Sequence, residues 1–337
     1  MWIVNITKVI RKQEMAKYQL NVKKNVLQND EGDLSLVSTT NKLKKLEVLI
    51  PVYNQEFYCS RIIKNIESYI SSEIGVLIQD DCSTDGTFEI LSNHFQNHES
   101  VKVFKTKKNI GPNGNFMSLT ERVTSEYLLG LGGDDFIIQG SIRQLLVALN
   151  SDPFDIGIFN CVRADIYTID HIIFGAAKPS EKLNVHITNK SITNATELNT
   201  NNFFTQIATM PGALWLQGVV IRAKLFKLIP KMESSNVDDW GICHNLAVYN
   251  LDHSLTVKTY DFIISALTIT PNSRGSQWDE QLRRQLSAVV NDWHPLFRKD
   301  AFYNVILKKI TQLHNSNLSI EEELFNIKNS FSKIELN

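Results

Sequence analysis

Two adjacent acids, Asp80-Asp81, close the apolar run Val76-Leu77-Ile78 and stand ahead of Cys82-Ser83-Thr84-Asp85-Gly86-Thr87. A second pair, Asp134-Asp135, follows Gly132-Gly133 at the end of the apolar stretch 127–131. A carboxylate in such a place can accept a hydrogen bond from a ring N–H of a nucleobase, and a nearby aromatic ring such as Tyr53 can stack on the base. Paired acids also suit a divalent cation, because Mg²⁺ and Mn²⁺ take carboxylate oxygens together with substrate phosphates. The two glycines before the second pair let the backbone approach a ligand closely. Ser83, Thr84, Asp85 and Gly86 have an ordinary structural reading as a turn and a helix cap. That reading leaves Asp80 and Asp81 unexplained.

The elements that must position these residues alternate. Glu47 to Ile50 read as a short strand broken by Pro51, and Phe57 to Ile70 as a helix with Ile62, Ile63, Ile66 and Ile70 at helical spacing. Strands are expected at 76–78, 101–104, 127–131 and 156–159, and helices at 86–95, 112–123 and 141–150. Pro112 suits a first helical turn. Such β-α-β alternation predicts an α/β fold with a mainly parallel sheet flanked by helices. Ligands then bind beyond the carboxyl ends of the strands. Four consecutive strand ends carry Pro51-Val52-Tyr53-Asn54, Asp80-Asp81, Asn109-Ile110-Gly111 and Gly132-Gly133-Asp134-Asp135. Beyond residue 160 the expected elements are a hairpin at 164–173, a helix at 196–207, strands at 214–221, 255–257 and 262–267, and helices at 238–249, 277–290, 301–313 and 320–334.

The 337 residues are 43% hydrophobic and 21% charged, which excludes a disordered chain, and 15 Gly with 8 Pro exclude a collagen-like one. The net charge of −1 argues against a nucleic-acid partner. Locally the balance differs: residues 1–28 carry Lys8, Arg11, Lys12, Lys17, Lys23 and Lys24 against Glu14 alone. This basic head reads as a loose extension, with peripheral contact to an anionic membrane as the sharper alternative. Four scattered cysteines without a CxxC pair suit a reducing compartment. With no long apolar segment, the chain reads as cytoplasmic. GxGxxG, GxxxxGK[ST] and GxSxG are all missing, so dinucleotide binding, a P-loop and a hydrolase elbow find no support.

The run Val48 to Asn54, the segment Gln79 to Thr87, Asn109-Ile110-Gly111 with Asn115, and Gly133-Asp134-Asp135 followed by Gly140-Ser141 together resemble the family 2 glycosyltransferases of GT-A fold. The likeness is close over 46–150 and looser over 210–275. It implies three parts: a basic extension at 1–45, a Rossmann-like GT-A domain at 46–275 and a helical C-terminal tail at 276–337. The length alone suggests roughly two domains.

By this resemblance Pro51 and Tyr53 flank the base of a nucleotide-sugar, and Asp81 reads a uracil ring. Asn109 belongs to the same donor site, Asp134 stands near the ribose and sugar, and Asp135 binds Mn²⁺ or Mg²⁺. Val237-Asp238-Asp239-Trp240 resembles the family's acidic pair before a tryptophan, which makes Asp239 the general base. Acids opening a helix at 238 are also favoured by its dipole. Two departures stand out. The late histidine segment of many members corresponds here to Thr270 to Ser276, where Arg274 is the available cation. The Q-x-x-R-W of processive members is represented by Gln281-Leu282-Arg283-Arg284-Gln285, which lacks the tryptophan.

The resemblance therefore implies a non-processive, inverting transferase in polysaccharide biosynthesis. It would move a sugar from a nucleotide-sugar, UDP-linked by default, to a hydroxyl of a glycan or lipid-linked acceptor. Such an enzyme would work in the cytoplasm or at the inner face of the cell membrane. A sugar nucleotidyltransferase and a nucleotide-sugar-binding module without activity are the rival readings. The first would show a glycine- and lysine-rich loop after the first strand, where Pro51-Val52-Tyr53-Asn54-Gln55 stands instead.

Overall fold

A computed structural model describes residues 44–138, 140–166, 169, 186–187, 196–197, 216–228 and 255–269. The basic head, the tail from 276, Asp239 and Arg274 lie outside the described residues. The first half is a run of strand–helix units: β1 (Leu46–Val52), α1 (Cys59–Tyr69), β2 (Ile74–Asp80), α2 (Thr87–Phe95), β3 (Val101–Lys105), α3 (Gly111–Thr120) and β4 (Tyr127–Gly130). Then follow β5 (Phe136–Ile137), α4 (Ser141–Ser151) and β6 (Ile156–Asp165). The remainder contributes β7 (His186–Ile187), β8 (Thr196–Glu197), β9 (Val219–Arg222), the short helix α5 (Ala223–Leu228) and β10 (Val257–Ile269).

The strands form one sheet in the order β3-β2-β1-β4-β9-β6-β10-β5. The half from β3 to β4 is parallel throughout, as the alternation predicts. β9 runs antiparallel to both β4 and β6, and β5 antiparallel to β10, so the whole sheet is mixed. β1 is buried along nearly its whole length because neighbours pair on both sides and helices cover both faces. Pro51 is tolerated in this central strand because β4 pairs with β1 only from Leu46 to Leu49. At position 51 no partner on that side needs its missing N–H.

The isoleucine stripe predicted for α1 packs Ile62 and Ile66 into the main core, where Leu91 and Phe95 of α2 join them. Burying one such side chain contributes about 1.5–3 kcal/mol. Asn65 interrupts that stripe while 2% exposed. Its amide donates to the Ile137 carbonyl at 2.7 Å and its oxygen accepts from the Ile137 N–H at 2.9 Å. A side-chain amide has the donor–acceptor pair of a peptide group, so Asn65 stands in for a strand partner and holds the two-residue β5 in place.

Three sequence expectations change. Thr196-Glu197, expected to open a helix, pairs as a strand with Lys258 and Thr259. The strand expected from 214 begins at Val219, after a 3₁₀ turn at Leu216–Gly218. The two short strands expected at 255–257 and 262–267 are one strand, β10, with register shifts between Thr259 and Ser265. The irregularity kept the period of two from showing across that stretch.

Candidate functional site

The loops after β1 and β2 are tied to each other at the carboxyl edge of the sheet. Asn54 N donates to Ser83 Oγ at 2.8 Å, Thr84 N to Asn54 Oδ1 at 2.9 Å, and Gln55 N to Thr87 Oγ1 at 2.7 Å. Glu56 N donates to Asp85 Oδ2 at 3.2 Å, while Gly86 N donates to Glu56 Oε2 at 2.8 Å. Ser83 and Thr84, expected to cap the next helix, instead bond to Asn54 across the two loops, while Asp85 Oδ1 accepts from Thr87 N at the helix start; together these bonds lock two strand ends. Both loops turn through the left-handed region, at Asn54 (φ 51°) and Cys82 (φ 61°). Asn tolerates that conformation well; for Cys it costs roughly 1–2 kcal/mol.

This lock sets Asp81 and Tyr53 side by side at neighbouring strand ends. Asp81 is 2% exposed. Its Oδ1 accepts from Ile110 N at 2.8 Å and Thr106 Oγ1 at 3.2 Å, which fixes the carboxylate and leaves Oδ2 to accept from a ligand. Tyr53 is 43% exposed, so its ring offers a face to solvent. Asn109 is exposed, and its Oδ1 accepts from Gly111 N at 2.9 Å, a local turn that leads into α3. Asn115 is buried and donates to the carbonyls of Gln79 and Val52, which couples α3 to the same two strand ends.

Asp134 and Asp135 sit where β4 ends beside β1. A Cβ on Gly133 would lie 3.0 Å from Val52 Cγ1 and 3.2 Å from the Pro51 carbonyl, so any larger residue would push the two strand ends apart by a few tenths of an ångström. A Cβ on Gly132 would lie 2.6 Å from Asp135 Oδ2 and 3.2 Å from Asp134 Oδ1. Both carboxylates thus lean over one glycine. Burial pushes the Asp134 carboxyl above its ordinary value. Burial, then the neighbouring Asp134 charge, push Asp135 well above its own. Hydrogen bonds to Asp135 pull the other way: Thr268 N donates to Oδ1 at 2.9 Å and Gln217 Nε2 to Oδ2 at 3.0 Å.

The structure therefore gathers Pro51, Tyr53, Asp81, Asn109, Asp134 and Asp135 along one edge of the sheet. Asp239 and Arg274 fall outside the described residues. The sequence reading passed over Gln217, Thr268 and Asn65. Asn65 had left a signal as a polar residue on an apolar helical face, and Gln217 as a polar residue within the run Leu214 to Ile221. Thr268 left none, because it contributes a backbone N–H.

Among the described residues no group of three His, Cys, Asp or Glu could hold a metal ion. Asp134 and Asp135, leaning over one glycine, are a donor pair that fits a hard divalent ion completed by phosphate oxygens and water. No helix among the described residues is long and apolar enough to cross a membrane.

Residues 47–196 match the model of the family described as glycosyl transferase family 2. One curated relative is a GalNAc(5)-diNAcBac-PP-undecaprenol beta-1,3-glucosyltransferase of Campylobacter jejuni, 26% identical over 109 residues. The match covers 32% of this chain and 35% of that protein, so the chain spans about a third of the relative's length. Residues 1–349 of S. aureus TarS, solved with UDP-GlcNAc, superpose with a TM-score of 0.55 at 18% identity, over 84% of this chain and 79% of that one. A mannosyltransferase of Pyrobaculum calidifontis, solved with GDP-Man and Mn²⁺, gives 0.50 at 10% identity, over 99% and 91%. At these identities the structural likeness concerns the fold, while the matched sequence spans the strand ends that carry both acid pairs. Over residues 47–196 the chain is similar to glycosyl transferase family 2, and its fold is that of the GT-A glycosyltransferases.

Proposed function

We propose that this chain transfers a sugar from a nucleotide-sugar, UDP-linked by default, to a hydroxyl of a glycan or lipid-linked acceptor, one addition at a time and with inversion. The observation that carries the reading is the placement of an anchored carboxylate with an open oxygen, Asp81, beside the exposed ring of Tyr53. The carboxylate pair over Gly132 lies further along the same sheet edge. Asp81 accepts from the ring N–H of uracil, and Tyr53 with Pro51 encloses the base. Asp134 faces the ribose and sugar, and Asn109 closes the donor site beside α3.

Asp134 and Asp135 would hold Mn²⁺ or Mg²⁺, which when bound offsets the negative charge of the diphosphate. Their raised proton affinities support this, since two carboxylates so close in a buried place favour a shared positive charge. Asp239 takes the proton from the acceptor hydroxyl as that oxygen attacks the anomeric carbon, and Arg274 supplies positive charge to the departing phosphates. Attack from the face opposite the leaving group inverts the configuration. The Campylobacter relative is named for a polyprenyl-linked saccharide, which supports a surface-glycan precursor as acceptor.

A screen of nucleotide-sugars for hydrolysis, followed by calorimetry with UDP in the presence and absence of Mn²⁺, tests the reading. Preferential turnover of one nucleotide-sugar and metal-dependent UDP binding are expected. Sugar binding without any affinity for UDP would instead favour a binding module, and turnover of a nucleoside triphosphate with a sugar phosphate would favour a nucleotidyltransferase.

A further inference from the structure

Asp135 is gripped from outside its own loop. One of its oxygens receives Thr268 N from β10, and the other receives the side-chain amide of Gln217 from the 3₁₀ turn ahead of β9. Both donors are in turn fixed. The register of β5 against β10, with Ser265 opposite Ile137 and Ala266 opposite Phe136, brings Thr268 alongside Asp135. Ser265 Oγ donates to the Gln217 carbonyl at 2.7 Å, so β10 holds the Gln217 backbone as well.

The far end of the Gln217 amide is unusual. Its Oε1 is buried and accepts no hydrogen bond among the described residues. Turning the amide over would set that oxygen against Asp135 Oδ2, so the carboxylate dictates the orientation at the expense of an unsatisfied acceptor. Asp135 is thereby held by two neutral donors. A lysine or arginine in place of Gln217 would bring a positive charge to compete with a cation; an amide fixes the carboxylate and leaves its charge intact.

We propose that Gln217 is a positioning residue for the carboxylate pair: it holds Asp135 Oδ2 over Gly132, toward Asp134 Oδ1, so that the two acids present one divalent-cation site. The inference rests on the reading of Asp134 and Asp135 given above. Because Gln217 lies 82 residues from Asp135 in sequence, this coupling exists only through the sheet. Outer-shell donors to a metal-binding carboxylate change metal affinity by about 10–100-fold when removed.

The test measures free Mn²⁺ by electron paramagnetic resonance against the full chain with saturating UDP, alongside metal-free thermal melting. Gln217→Met, close in shape but without a donor, is expected to weaken Mn²⁺ binding by about 10–100-fold. Its metal-free Tm should change little, since the disappearance of the unsatisfied Oε1 offsets the loss of the donor to Asp135 Oδ2. If that variant fails to fold, Gln217→Asn, which draws the amide back by one methylene, must show the same loss. Asp135→Asn serves as the reference and is expected to abolish Mn²⁺ binding. Wild-type affinity in both Gln217 variants, with Asp135→Asn inactive in binding, overturns the positioning role and leaves the acid pair as the metal site. Wild-type affinity in Asp135→Asn overturns the reading of the pair itself, and the inference with it.

Discussion

The two ends of the sheet treat buried polar groups in opposite ways. At the amino ends of the strands, Glu47 accepts from Thr124 N at 2.7 Å and Ser125 N at 3.0 Å, which secures the loop leading into β4. Arg222 reaches Asp155 at 3.1 Å, Glu126 at 2.8 Å and the Tyr127 hydroxyl at 2.8 Å, with its guanidinium over the Tyr127 ring. Asp155 uses its second oxygen to accept from Thr256 N. At the carboxyl ends the pattern reverses. The buried side-chain atoms without a partner among the described residues are Gln55 Oε1, Asp80 Oδ1, Asn115 Oδ1, Gln217 Oε1, Thr268 Oγ1 and Tyr69 Oη, and all but the last lie at this edge. Each such atom costs about 1–3 kcal/mol. One end of the molecule is built for stability, whereas the other keeps unsatisfied acceptors and crowded carboxylates where a ligand would meet them.

Substitutions at the two ends should therefore separate activity from stability. The largest effect is expected from the proposed general base, Asp239, which lies outside the described residues: Asp239→Asn would take away the proposed proton acceptor. Transfer should fall by about 10²–10⁴-fold or more while UDP affinity stays near normal. Steady-state kinetics with calorimetry checks this, and near-normal turnover would refute the base assignment.

At the acid pair the expected signs oppose each other. Asp135→Asn should lose metal-dependent UDP binding yet melt at a higher temperature than wild type without metal. The change removes a like-charge contact, and a flipped Gln217 can then accept from the new amide. A metal-free Tm below that of wild type would contradict the picture of a strained site.

The amino end should behave the other way. Glu47→Ala deprives two backbone N–H groups and Thr124 Oγ1 of their acceptor and is expected to destabilise the fold by about 2–3 kcal/mol. Denaturant titration measures that loss, and metal-dependent UDP binding below the unfolding range should remain. If Glu47→Ala alters UDP affinity first, the division between the ends fails.

A smaller effect follows from Glu126. Burial raises its carboxyl pKa, but the hydrogen bond and charge of Lys45, with Arg222 behind them, outweigh burial and leave it below its usual value. The unfolded chain therefore takes up the proton first. The stability this group contributes is fully present above the ordinary carboxylate range and is lost as pH falls through the lowered value. Thermal melts of wild type and Glu126→Gln should differ at neutral pH and converge in acid. The smallest change concerns Cys82, held at φ 61° in the loop after β2. Cys82→Gly should relieve that strain and stabilise by about 1 kcal/mol or less, because glycine's greater unfolded-state entropy offsets part of the gain.

The parallel half of the fold was legible in the sequence because each unit there is local. Buried strands such as Val76-Leu77-Ile78 and the isoleucine stripe of α1 declare their period within a dozen residues, and the loops between them use ordinary turn and cap chemistry. Past residue 160 that legibility fades. β10 is interrupted by register shifts, and β8 is two residues long, held by its pairing with Lys258 and Thr259. A strand of that kind is defined by its neighbour and leaves no period of its own.

The same division runs through the site. That Asp81, Tyr53, Asp134 and Asp135 share one edge was legible in the sequence, because a parallel sheet sends the residues after each strand to one edge. Their energetics were decided only by the tertiary structure. Long-range contacts give Asp135 its burial, its Thr268 and Gln217 donors and its raised proton affinity, and they give Asn65 its hold on β5. A sequence states which groups are present and which edge they reach. The direction a carboxylate faces, and the charge it carries there, depend on partners that only the folded sheet brings within hydrogen-bond distance.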